Sequence, residues 1–464
     1  MPNDLPIEKM IQIAKRYGAD FAEVFVEETR QTTIVCDDHK LERAATFDDA
    51  GVGIRVLKDG RASYGSTNDF TQRELFDLAR QVGRASRAKR ARSGPIVLCE
   101  RRPQTTATVR QHPFGIALEE KCGVVVRAND VAWAKGASVR QVKVIYRDNV
   151  RRVRVASSDG SCTEDEQVDT LFAVHVVANN GIVLQTGYEP EAGAKGFEIF
   201  DEVPPEEIAE LASGRAIAML KARPAPAGTM AVVLSAEAGG TMIHEAVGHG
   251  LEADLALDGM SVYSGKLGQK VASDLITVVD DATLPGRRGS FTFDDEGLPA
   301  QRTLLIDRGV LRSYLTDRRS AARLGLPSTG NGRRQSYEHQ PIVRMTNTMI
   351  MPGKGDPARI LTDTPSGLFV RKMGGGQVNT INGDFVFEVQ EGYLIEGGKA
   401  GEPVRGATLI GNGPKVLAAI DRVGNDLGFS IGTCGKGGQE APVSAGQPTI
   451  RIPEMVVGGT RNIY

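Results

Sequence analysis

The interval between two histidines constrains this chain more than any other feature. His244 and His249 stand five positions apart in TMIHEAVGHGLEAD, with Glu245 directly after the first. At 3.6 residues per turn, five helical steps leave the two rings about 140° apart. They face one ion only if the helix widens between them, and a single π-type turn does that. Gly248 and Gly250 soften the backbone where the widening is needed. The spacing therefore predicts one distorted helix, entered from the apolar strand MAVVLS at residues 230–235.

The rest of the chain supplies the setting. IEKMIQIAKRYG places Ile7, Met10, Ile11 and Ala14 at helical intervals, with Gly18 as the stop. FAEVFVEE, TTIVCD, KLERAATF, GVGIRVLK and RASYGS read as strands, punctuated at Asp48-Asp49 and at the Asp59-Gly60 hairpin turn. TQRELFDLARQVGRASRA closes this unit as a second helix. Residues 87–113 are basic, polar and proline-containing, which reads as a linker. A helix, long alternating strands and the helix PPEEIAELASGRAIAMLKA follow, ending at RPAPAG. RRVRV at 151–155 alternates Arg and Val and reads as an amphipathic strand with one charged face.

Glycine accounts for 54 of 464 residues, about 12% against a usual 7% or so, and it is densest after residue 229. Short alternating runs between Gly, Asn and Asp there predict a largely antiparallel sheet around the one helix. The fold class is thus α+β. A 1–90 α+β domain and a 114–222 middle α+β domain precede a 228–464 β-rich domain with an embedded metal-binding helix.

Charge and cysteine content narrow the function. With 56 basic and 58 acidic residues the net charge is −2, which argues against a nucleic-acid protein built on one basic face. Nowhere do about 18 apolar residues run together, so no membrane span is expected. Five scattered cysteines without a C-x-x-C pair suit a reducing compartment, and the expected location is cytoplasmic. None of the glycine-rich runs has the spacing of a phosphate-binding loop.

Two imidazoles and an adjacent carboxylate suit a catalytic zinc, which takes three protein ligands and leaves a position for water. His244 and His249 supply two ligands, and Glu245 suits the general base. By chemistry the third ligand is Glu252, Asp254, His339 or Cys434. Cys434 lies in GTCGKGGQ, read as a small-residue loop in which Lys436 favours the thiolate.

TMIHEAVGHGLEAD, SYEHQPIVRMTNT at 336–348 and GTCGKGGQ resemble the TldD/PmbA family of metallopeptidases, on the metal-bearing TldD side rather than the PmbA (TldE) side. The resemblance covers essentially the whole chain. It implies His244, His249 and Cys434 as ligands of one Zn2+ per chain and Glu245 as catalytic, with iron or another divalent ion as the competing metals. It also implies small or unfolded peptide substrates, including precursors of modified peptide antibiotics. The implied assembly is a dimer, either with a TldE/PmbA-like partner subunit or between two copies. His339, Arg344 and Asn347 are candidates for wall or transition-state contacts, with plain strand and turn packing as the favoured reading. Two other readings stand beside this metalloprotease: a non-catalytic assembly or binding subunit with a structural metal, and a metal-dependent amidohydrolase acting on a small molecule.

Overall fold

The computed structural model describes residues 4–86, 96–101 and 109–459. Most of the expected linker at 87–113, including the boundary near residue 90, lies outside the described residues. Among the described residues no helix is long and apolar enough to cross a membrane.

Seven strands form the first sheet. In order these are Arg61–Thr67, Lys40–Lys58, Phe21–Asp37, Val139–Ser157, Ser161–Asn179 and Cys99–Arg101, with Leu184–Gly193 also paired to Ser161–Asn179. Strands from either side of residue 90 are therefore neighbours in one sheet, since Phe21–Asp37 pairs antiparallel with Val139–Ser157. Asp48-Asp49 is not a turn but the middle of a 19-residue strand. There Asp48 lies opposite Arg30 and forms an ion pair with it at 3.3 Å, so the partner strand accommodates the acid. Asp59 and Gly60, at φ 49° and 73°, do make the expected hairpin turn.

Alternation along these strands gives the sheet two different faces. Val24, Val26, Val52 and Ile54 meet the helices Ile7–Lys15 and Gln72–Ala85. Further along the same sheet, Val142, Val144, Phe172 and Val174 meet the helices Leu118–Ala134 and Pro205–Met219. The opposite face carries Glu23, Phe25 and Glu27 and packs on the C-terminal region, where Phe25, Val153 and Val155 contact Tyr337. Arg151 belongs to this buried face, so it does not share the one charged strand face expected of the cluster. It is neutralised there by Glu27 and by Asp295 at 2.7 Å, while Arg152 remains exposed.

Two larger sheets and a two-stranded one, Gly332–Arg333 with Ile342–Val343, build the C-terminal region. Ser366–Val378, Gly228–Leu234, Ile450–Gly458, Thr408–Asn412 and Asp384–Glu396 pair in turn, and the last returns to the first, so five strands close a ring. The other larger sheet runs Val310–Leu311, Arg302–Asp307, Val278–Asp281, Asn347–Ile350, Gln439–Gln447, Gly428–Lys436, which leaves Gly428–Lys436 at an edge. The helix that carries the histidines packs between them. Met242, Ile243, Val247 and Leu251 share one core with Leu234, Val370, Phe387 and Ile450. Short helices at Arg318–Leu324, Pro357–Thr362 and Gly413–Ala419 accompany the expected one.

Candidate metal centre

The histidine helix changes pitch where the spacing requires it. Thr241–Ile243 is α-helical, His244–Gly248 is a π turn and His249–Leu251 is a 3-10 turn. The His249 N–H donates to the His244 carbonyl, a bond across five residues. The extra residue turns both rings to one side, with centroids 5.1 Å apart and planes at 79°. Gly248 contributes by size rather than softness. Its φ of −55° is ordinary for a helix, but a Cβ there would collide with Met345 Sδ. Likewise, a Cβ on Gly250 would press on the Tyr263 ring.

Cys434 reaches this helix from 190 residues away in sequence. It sits within the edge strand Gly428–Lys436 rather than in a loop; Gly437 and Gly438, at φ 58° and 75°, make the turn beyond it. Its Sγ lies 3.2 Å from His244 Nε2 and 3.3 Å from His249 Nε2. The three donor atoms fall within 4.8 Å of one another. Ligand atoms around a tetrahedral zinc with two nitrogens and a sulfur lie about 3.5 Å apart, so this donor set fits such an ion. Burial alone would raise the Cys434 thiol, but the two imidazoles outweigh it and hold the thiol down at about 5. Lys436 is not the cause, because it turns away towards two carboxylates.

Those carboxylates orient the centre from behind. Glu252 is fully buried and accepts from His249 Nδ1 at 2.9 Å, which leaves Nε2 as the nitrogen facing Cys434. Lys436 Nζ lies 3.1 Å from Glu252 and donates to Asp254 at 2.7 Å and to the Val343 carbonyl at 2.9 Å. The tip of the cysteine hairpin is thereby tied to the histidine helix. Burial would push Glu252 up, but Lys436 and His249 hold it down at about 2. Arg344, 1% exposed, donates Nη1 to the Gln439 carbonyl at 3.0 Å and Nη2 to the carbonyl of Cys434 itself.

The alternatives for third ligand thus separate. Cys434 meets both histidines, Glu252 and Asp254 stand behind them, and His339 Nδ1 pairs with Ser336 Oγ at 3.0 Å. Asn347 binds the Gly289 amide and the Asp281 carbonyl, away from the histidines. Sequence reasoning offered Glu252 only as a ligand and Arg344 only as a wall or transition-state contact. The H-x-x-E interval from His249 to Glu252, one helical turn, was the available signal for the first. Nothing local marked the second.

Glu245 is half-buried and lines a pocket of about 230 Å³ with His244, His249 and Cys434. A larger cleft of about 820 Å³ shares Thr241, Ser430 and Ile431 with that pocket, and Gln185, Tyr188 and Glu189 form its far wall. The cleft accordingly lies between two strands, Leu184–Gly193 of the first sheet and the edge strand Gly428–Lys436.

Comparison with known proteins agrees over the whole length. Residues 22–87 match the model for PmbA/TldA metallopeptidase domain 1, 111–220 its central domain and 227–459 its C-terminal domain. The chain is 33% identical over 470 residues to a metalloprotease TldD homolog of Haemophilus influenzae, covering 99% of this chain and 98% of that one. A metalloprotease of Methanothermobacter thermautotrophicus is 35% identical, with 95% and 96% covered. Among solved structures, a putative modulator of DNA gyrase from Thermotoga maritima superimposes with a TM-score of 0.80 at 22% identity, with 97% and 98% covered. TldE from Thermococcus kodakarensis gives 0.78 at 18%, with 97% and 99% covered. Both structures share the fold.

Proposed function

Because the chain belongs to the PmbA/TldD family of metallopeptidases, we propose that it hydrolyses small or unfolded peptides with one zinc ion held by His244, His249 and Cys434. The observation that carries this reading is the meeting of two imidazole nitrogens and one thiol sulfur at 3.2 and 3.3 Å beside a carboxylate with no hydrogen-bond partner among the described residues. Zinc bound there supplies Lewis-acid chemistry, polarising the scissile carbonyl and making a water easier to deprotonate near pH 7.

The chain's own residues do the rest. Glu245 takes a proton from the attacking water on a carboxylate oxygen and returns it to the leaving amine nitrogen. Glu252 holds the His249 ring in register through Nδ1. The edge strand Gly428–Lys436 offers unpaired backbone groups to an extended peptide, a mode that ignores most side chains and rejects folded proteins. A TldE-like subunit or a second copy completes the cleft as a dimer. The five cysteines, all free, suit a cytoplasmic setting.

Glu245→Gln tests the assignment. Metal content, read by mass spectrometry, stays at wild-type level, while hydrolysis of an unstructured peptide falls about 10²–10⁴-fold. Near-full turnover in that variant removes Glu245 as the base. Bound metal without hydrolysis in the wild type, persisting after addition of a TldE-like partner, replaces the peptidase with a structural site.

A further inference from the structure

Arg333 is a buried charge with no ion-pair partner among the described residues. It is 7% exposed, and the Nη1 group donates to the Met345 carbonyl at 2.8 Å. The guanidinium lies 5.5 Å over the Phe291 ring. Among the described residues no carboxylate oxygen comes within the 4.0 Å of an ion pair. Burial pushes this arginine down to about 10; Asp295 and Asp280 offset part of that from a distance, while Arg344 and Arg151 add like charge. Its neighbours in the same interface differ. Arg334 pairs with Glu23 at 2.6 Å, and Arg151 pairs with Asp295 at 2.7 Å. A buried arginine without a partner is costly, and an anion would remove that cost.

A space for one is present. Arg333 lines a cavity of about 160 Å³ between the first sheet and the C-terminal region, together with Arg151, Arg288 and Arg334 and the acids Asp165, Glu166, Asp169, Asp295 and Glu440. Asp295 is already taken by Arg151, Asp169 by Arg288 at 3.1 Å and Glu166 by Arg152 at 2.7 Å, while Glu440 is exposed. Asp165 spends one oxygen on the Thr292 and Phe293 amides. Among the described residues, Nε and Nη2 of Arg333 have no hydrogen-bond partner, and the side chain lines the cavity. These two groups form the side of the guanidinium that matches two oxygens of a carboxylate or phosphate at once. A water needs about 10–15 Å³ on this scale, so the space accommodates a small oxyanion with part of its hydration.

We infer that this cavity is a binding site for a small oxyanion of the carboxylate or phosphate class, received by Nε and Nη2 of Arg333. The site is separate from the proposed metal centre but mechanically close to it. Glu440, Ala441 and Pro442 form part of its wall, and Ala441 is the strand partner of Cys434. Arg288, another wall residue, donates to the Gly432 carbonyl at 2.8 Å on the cysteine strand. An occupant therefore bears on the strand that presents Cys434 and on the first sheet together. The oxyanion has two possible origins, a free inorganic ion or the terminal carboxylate of a peptide.

Calorimetric titration of the full chain tests this, using inorganic phosphate, acetate, and one unstructured peptide with either a free or an amidated C-terminus. Saturable binding is expected, and Arg333→Met weakens it at least about tenfold. Asp165→Asn removes a negative charge from the cavity and tightens binding, so the two variants shift it in opposite directions, which a general folding defect does not produce. Phosphate or acetate binding supports the site with a free ion as occupant. Binding of the free-acid peptide but not of its amide supports it with a peptide carboxylate. No saturable binding up to about 10 mM, or equal affinity in Arg333→Met, overturns it.

Discussion

The two faces of the first sheet bury their residues by opposite means. The helix-covered face is apolar: Val24, Val52, Ile54, Val142, Phe172 and Val174 are each fully buried among other hydrocarbon groups. The face against the C-terminal region is ionic. Glu23 meets Arg55 at 2.7 Å and Arg334 at 2.6 Å, Arg55 also meets Glu296, and Arg151 bridges Glu27 and Asp295. Apolar contact is non-directional and supplies stability. Buried ion pairs add little net stability, because desolvation offsets attraction, but a charge left without its partner costs about 3–5 kcal/mol, which penalises any other alignment. Here the paired geometry sets the C-terminal region, with its cleft and histidine helix, against the edge strand Leu184–Gly193. Stability on one face and alignment on the other is the division of labour this contrast teaches.

The largest effect expected from this division lies at the centre itself. His249→Ala and Cys434→Ser each lose the metal and lower peptide hydrolysis by roughly three orders of magnitude or more, about 4 kcal/mol of transition-state stabilisation. Their denaturation midpoints in the metal-free state stay close to wild type. Full metal in Cys434→Ser would show the thiol to be dispensable. On the apolar face, Phe172→Ala costs about 3–5 kcal/mol in urea unfolding with metal content unchanged. Loss of metal below its melting temperature would break the contrast. On the ionic face, Glu23→Gln leaves Arg55 and Arg334 short of a carboxylate and costs about 3–5 kcal/mol, and hydrolysis falls with it at temperatures where Phe172→Ala remains active.

Smaller effects sharpen the comparison. Glu252→Gln and Arg344→Met reach the metal only through His249 and the cysteine strand. Each weakens metal binding about 10–100-fold in chelator competition, without a matching fall in folded stability. Smallest is Asp356→Ala, which removes the side chain accepting from the Ala358 amide at 2.9 Å at the start of helix Pro357–Thr362. It costs about 1 kcal/mol and leaves metal content untouched.

Local features of both fold and site were legible because they depend on neighbours in sequence. The helices at Ile7–Lys15 and Gln72–Ala85 follow from 3.6-residue periodicity, and the Asp59-Gly60 turn follows from two positive φ angles. The π turn between His244 and His249 follows from an interval that a regular helix cannot reconcile with one ion. Readings failed where a distant partner decided. Asp48-Asp49 looked like a turn until Arg30 faced it across the strand pair. Arg151 looked like part of one charged strand face until Glu27 and Asp295 enclosed it. Lys436 looked like the charge that acidifies Cys434, whereas Glu252 and Asp254 claim it and the histidines act instead.

By itself, then, the amino-acid sequence determined which segments alternate, which turn, and that two imidazoles need a widened helix to converge. Only the tertiary structure set which of the four candidate donors lies beside that pair, and it brought Cys434 there through the pairing of strand Gly428–Lys436 with Gln439–Gln447. It likewise placed Glu252 behind His249 and Arg344 behind Cys434. The physical reason is range. Backbone preference and side-chain periodicity act over a few residues, whereas a binding site is set by which surfaces a fold buries against each other, and that choice belongs to the whole chain.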